Sequence, residues 1–124
     1  MLGSIDALAT LAVVDIDRAR RFYEGKLGLK ALPGPEPGVL VLKTGATRMI
    51  VYPSEYAGTN KATAATWTVK DVEATVKELK GRGITFEHYD FPGVKLQGDV
   101  HVIGRSKAAW FKDPDGNILA IVSE

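Results

Sequence analysis

Two histidines, His88 and His101, are the side chains of this chain whose ordinary pKa lies near neutrality. They stand thirteen residues apart (88 to 101) and share no helix pattern, so the spacing argues against a common metal site. His101 is the stronger candidate for acid–base work, yet the sequence offers it no partner. It shows no carboxylate dyad, no nucleophile beside a base, and no glycine loop of the phosphate-binding kind. Cysteine is absent, which excludes disulfides, thiolate ligands and cysteine nucleophiles. What remains is binding chemistry. Arg48 can grip an anion through two parallel N–H donors. Thr10, Thr66, Thr68 and Tyr52 carry hydroxyls, and Trp110 can stack on a flat ligand or fill core.

The elements that must position these residues follow from the pattern. Residues 5 to 14 are mostly apolar and end in Val13-Val14, a buried-strand signal. Asp15 stands at a helix N-cap, Ala19, Phe22, Tyr23 and Leu27 follow at helical spacing, and Gly28 is the stop. A turn is expected around Pro33-Gly34-Pro35, then strands over 39–43 and 48–52 with Thr44-Gly45 between them. Residues 53–63, poor in apolar side chains, read as a linker.

Beyond it the order repeats. A strand over 64–69 leads to Asp71 as N-cap. Val72, Val76 and Leu79 then form a helical stripe that Gly81 and Gly83 end. Further strands are expected over 84–91, 108–111 and 118–122, with turns at Pro92-Gly93 and over 113–116. Val13-Val14-Asp15 overlays Val69-Lys70-Asp71 at an offset of 56 residues (13 to 69), which points to duplication. The expectation is a single α+β domain over 1–124 with sheets on one side and helices on the other. Its first module would span 1–58 and its second 62–124.

These residues resemble the vicinal-oxygen-chelate superfamily, the glyoxalase, bleomycin-resistance and dioxygenase type. The first resemblance lies in Asp15-x-x-x-Ala19-x-x-Phe22-Tyr23-x-x-x-Leu27-Gly28. The second is Trp110-Phe111-Lys112-Asp113-Pro114-Asp115-Gly116-Asn117-Ile118, and the helix from Asp71 to Gly83 is also similar. The resemblance implies two βαβββ modules paired around a curved sheet cavity, and commonly a homodimer. It also implies where metal ligands would stand: Leu8, its repeat partner Ala64, Ala120 four residues past Gly116, and Ile50, with Val51 as the alternative, on the last strand of module one. None of these side chains has a donor atom for a divalent ion, so the expectation is a protein with no metal and no cofactor.

Strand alternation puts Leu8, Thr10, Ala12, Arg48, Ile50 and Tyr52 on one face of module one. The matching face of module two holds Ala64, Thr66, Thr68, Ile118, Ala120 and Val122, while Trp67 has the opposite parity. An apolar concavity with a few hydroxyls suits a small molecule. Gly93, Gly98 and Gly104 suggest a mobile loop within 86–105 able to cover it. The leading expectation is therefore binding of an apolar or aromatic ligand. The alternatives are a metal-free lyase or isomerase acting through His101 or Tyr52, or a non-catalytic interaction module.

Sixteen basic residues against fifteen acidic ones leave +1, which argues against nucleic acid as a partner. No apolar run reaches membrane length, and the first residues lack a signal-peptide layout, so a cytoplasmic address is expected.

Overall fold

The computed structural model describes residues 1–34 and 36–124. Leu2–Ser4 form a single 3-10 turn, and β1 (Ala9–Val13) leads into α1 (Ile16–Arg20). The Asp15 side chain accepts from the N–H groups of Asp17 and Arg18 and so caps that helix. The helix widens into a π turn over Arg21–Lys26 and ends at Gly28, which takes φ +76°. Three strands follow: β2 (Lys30–Leu32), β3 (Leu40–Thr44) and β4 (Thr47–Pro53). They complete a four-stranded sheet in the order β1-β4-β3-β2, with β1 parallel to β4 and the other pairs antiparallel.

The second half repeats the plan. β5 (Thr63–Val69) precedes α2 (Val72–Gly81), whose cap Asp71 accepts from Ala74 N–H. Then come β6 (Phe86–Glu87), β7 (Lys95–Gln97), β8 (Val100–Ile103), β9 (Ser106–Lys112) and β10 (Ile118–Ser123). The sheet runs β5-β10-β9-β8-β7, and β6 pairs with the far half of β9. Without the β7–β8 hairpin its order is β5-β10-β9-β6, the same connectivity as the first sheet. The chain is an α+β protein built on two sheets.

Several strand limits differ from those the sequence suggests. β1 begins at Ala9, not Ile5; the preceding residues are exposed and pair with no strand. β2 was not expected; three residues are too few to show alternation. The strand expected over 84–91 shrinks to Phe86–Glu87, and the region expected as a mobile loop carries the β7–β8 hairpin. Gly98 and Gly104 sit in the two turns flanking β8 at φ +63° and +59°, so they mark hairpin reversals. The expected turn at Pro33-Gly34-Pro35 lies partly outside the described residues.

Both halves contribute to one core. Phe111 on β9 lies at its centre, with ring centroids 6.5 Å from Phe22, 6.5 Å from Trp67 and 5.6 Å from Phe86. Leu11, Val13, Leu42 and Val51 from the first sheet join Leu119 and Ile121 from the second, each 2% exposed or less. Trp67 packs here, as its parity requires, and its indole N–H donates to Thr44 Oγ1 across the halves at 3.0 Å.

The two signature segments meet in this fold. Tyr23 Oη donates to Asp113 Oδ2 at 2.7 Å, and Asn117 Nδ2 donates to the same oxygen and to Ala12 O, both at 2.8 Å. Asp115 accepts from Arg18 and from Val14 N–H. The 113–117 turn therefore fastens the second half to the end of β1 and to α1. This gives a structural reason for the aromatic residue in one segment and the aspartate in the other.

The β7–β8 hairpin is tethered through Asp99, whose carboxylate meets Lys80 Nζ of α2 at 2.6 Å and His88 Nε2 at 2.7 Å. The hydrogen bond from Lys80, then that from His88, holds the Asp99 carboxyl below its ordinary value. The folded state thus binds this proton less readily than the unfolded chain. The stabilisation is complete above about pH 4, the unfolded value, and disappears as pH falls through the lower folded value. Asp99→Asn should cost about 1 kcal/mol at pH 7. Wild type and variant should converge below about pH 3 in urea melts recorded across pH; a gap that persists there would show that the tether is not electrostatic.

Candidate functional site

Each sheet has one face packed on the helices and core and one face turned away from them. On β1 and β4, Leu11, Val13, Met49 and Val51 are buried, while Thr10, Arg48 and Tyr52 are exposed and Ile50 is half-buried. The parallel register sets Thr10 beside Ile50 and Ala12 beside Tyr52. Leu8 precedes β1 and is 38% exposed. On the second sheet Thr66 and Thr68 are exposed and half-buried Val122 lies between them and the strands beyond.

Register orders this second open face into rows. Trp110, Ala120 and Thr66 lie side by side across β9, β10 and β5. In the neighbouring row stand His101, Ala108, Val122 and Thr68. The alanines in the middle are covered, Ala120 at 2% and Ala108 at 5% exposed, and the Trp110 indole N–H donates to Thr63 Oγ1 at 3.2 Å, so the ring spans β10 and joins the aromatic wall to the hydroxyl edge. Ala64 falls at an irregularity in the β5–β10 ladder, where pairing steps from Thr63–Ile118 to Ala65–Leu119. It packs against the core and stands apart from that row.

The aromatic wall contains the most informative polar groups. His101 is fully buried, 4.9 Å from the Trp110 ring and edge-on to it. Tyr89 and Phe91 close over the pair, their centroids 5.5 and 5.9 Å from Trp110. Tyr89 N–H donates to His101 Nε2 at 2.9 Å, so the ring proton sits on Nδ1. That Nδ1–H and the Tyr89 hydroxyl are buried with no hydrogen-bond partner among the described residues. Burial, with the Glu87 carboxylate second, raises the Tyr89 phenol above its ordinary value while Lys112 opposes it, so the phenol keeps its proton. Two buried donors are thus left without acceptors inside an aromatic enclosure, a costly arrangement for a protein to keep.

Sequence reasoning selected His101 and Trp110 singly but missed Tyr89 and Phe91 as their neighbours. The signal was the period-two alternation Glu87-Tyr89-Phe91, obscured by the short β6.

At the other edge, Arg48, Thr47 and Thr44 meet Thr66 and Thr68 in a groove of about 300 Å³, floored by Ala9, Met49, Ala65 and Trp67. Three of the expected ligand-contacting residues, Arg48, Thr66 and Thr68, come together there. Tyr52 and Thr10 line the same face of the first sheet but are not in this groove.

A model of the Glyoxalase/Bleomycin resistance protein/Dioxygenase superfamily matches residues 4–121. This chain belongs to that superfamily. Solved structures agree on the fold. A glyoxalase family protein from Enterococcus faecalis superposes with a TM-score of 0.73 at 19% identity, covering 98% of this chain and 99% of its own. An integron cassette protein from the mobile metagenome of a Halifax Harbour sewage outfall gives 0.70 at 16% identity, covering 97% and 100%. One from Vibrio cholerae gives 0.60 at 22%, covering 96% and 95%. No curated protein matches the sequence.

Metal chemistry occurs in the superfamily as the sequence resemblance describes it, so the donor set here bears on function. Leu8, Ile50, Ala64 and Ala120 supply hydrocarbon alone, and among the described residues no group of three or more His, Asp or Glu side chains is placed to hold an ion. The residues at these positions do not fit a divalent metal. No helix is long and apolar enough to cross a membrane among the described residues.

Proposed function

We propose that this protein binds a small, largely apolar molecule on the open face of its second sheet, without a metal ion. The observation that carries this reading is the enclosure of Trp110, His101, Tyr89 and Phe91 around two buried donors that lack acceptors. An aromatic ligand inserted beside Trp110 gains an aromatic contact worth about 0.5–1.5 kcal/mol beyond its buried area. A carbonyl or ether oxygen on it would satisfy the His101 Nδ1–H or the Tyr89 hydroxyl, relieving a desolvation cost of about 1–3 kcal/mol. His101 acts here as a donor to ligand. Its Nε2 lone pair is already engaged by Tyr89 N–H, which leaves the ring no free acceptor for abstracting a proton.

Fluorescence titration with 6-propionyl-2-dimethylaminonaphthalene, a neutral apolar probe with one carbonyl acceptor, tests the reading. Saturable binding is expected, weakened at least tenfold in Trp110→Ala and in His101→Ala and much less in Trp110→Phe. Affinity should be unchanged after dialysis against a chelator. Binding indifferent to both positions would place the ligand elsewhere, and binding that requires a divalent ion would overturn the metal-free part.

A further inference from the structure

Three cations stand in a row on the open face of the first sheet. Lys30 pairs in register with Lys43, and Lys43 pairs with Arg48, across β2, β3 and β4. Cross-strand partners point to the same face, about 5 Å apart at Cβ. All three are exposed, and none forms an ion pair among the described residues, although seven ion pairs are present elsewhere. Like charges directly opposite on a sheet destabilise it. In a chain with a net charge of only +1, such a ladder is a local feature and not a consequence of overall charge.

The ladder ends at the ligand face. Arg48 shares its groove with the Thr66 and Thr68 side chains and with Thr44 and Thr47. Thr66 begins the row that crosses Ala120 to Trp110. Two strand spacings separate Thr66 from Trp110, about 10 Å. We infer that the ligand is amphipathic. An anionic head, carboxylate or phosphate monoester, sits against Arg48 and Lys43, and the apolar body lies past Thr66 along the Trp110 indole, which reaches across β10 to Thr63. This rests on the reading of the second sheet as the ligand face and adds the charge of the ligand to it. Arg48 supplies the paired N–H donors that match either oxyanion, the threonine hydroxyls add neutral donors, and Lys43 and Lys30 raise the local potential.

Calorimetric titration of 4-phenylbutyrate, phenyl phosphate and neutral 4-phenylbutanamide separates the two claims. Both anions should bind at least tenfold more tightly than the amide. That advantage should shrink with added salt and disappear in Arg48→Met. The stronger of the two anions identifies the head group. Without any ligand, Lys43→Glu should raise the melting temperature at low salt, because it replaces two repulsions by two attractions. Equal binding of acids and amide, or full binding in Arg48→Met, would overturn the anionic head while leaving the aromatic wall as the ligand face. Failure of all three probes at millimolar concentration would overturn both.

Discussion

Asp113→Ala should lower the free energy of unfolding by about 3–5 kcal/mol, read from urea melts. The carboxylate is 5% exposed and accepts four hydrogen bonds. They come from Tyr23 Oη at 2.7 Å, Asn117 Nδ2 at 2.8 Å, and the N–H groups of Asp115 and Asn117 at 2.9 Å. Truncation strands the hydroxyl of a fully buried tyrosine and two backbone donors at once, and each orphan costs about 1–3 kcal/mol. Tyr23→Phe removes one donor and leaves three, so about 1–2 kcal/mol is expected. Burial first, and the Asp113 carboxylate second, push the Tyr23 phenol far above its ordinary value. The unfolded chain releases this proton near pH 10 and the folded chain holds it, so stability is full below pH 10 and falls as pH rises beyond it. Tyr23→Phe should flatten that alkaline decline. A loss under 1 kcal/mol in Asp113→Ala would show that the turn is held by other contacts.

The same residues show what was legible in the sequence. Phe22, Tyr23 and the 113–117 turn could be read as core helix and turn, because helical spacing and turn composition are local signals. That Tyr23 reaches Asp113 was not legible, since ninety residues separate them and nothing in either segment names the other. The face of Thr10, Arg48, Ile50 and Tyr52 followed from alternation along strands long enough to show it. Ala64 did not follow, because the irregularity beside it in the ladder cannot be seen in composition. The hairpin that carries His101 was read as a loop for a related reason. Its strands are three and four residues long, and its glycines serve reversals as readily as mobility. The cation ladder needed register between three strands, one of which the sequence did not reveal.

Gly58→Ala should cost about 3 kcal/mol, although the residue lies in the linker and carries no side chain. Gly58 takes φ +76°, where an L-residue loses about 1–2 kcal/mol from its own Cβ. That Cβ would also stand 2.3 Å from Asp115 O, a backbone atom that cannot swing aside as a side chain would. Relief requires the linker to lift from the 113–117 turn, or the turn to leave the end of β1, where Asn117 holds Ala12 O. Linker and turn are therefore expected to act as one unit. In a double-mutant cycle, Gly58→Ala and Asp113→Ala together should cost at least 1 kcal/mol less than the sum of their separate costs, because a turn already loosened no longer resists the new methyl. Strict additivity in thermal and urea melts would mean that the linker relaxes without moving the turn. The wedge against Asp115 would then contribute nothing to how the two halves are joined.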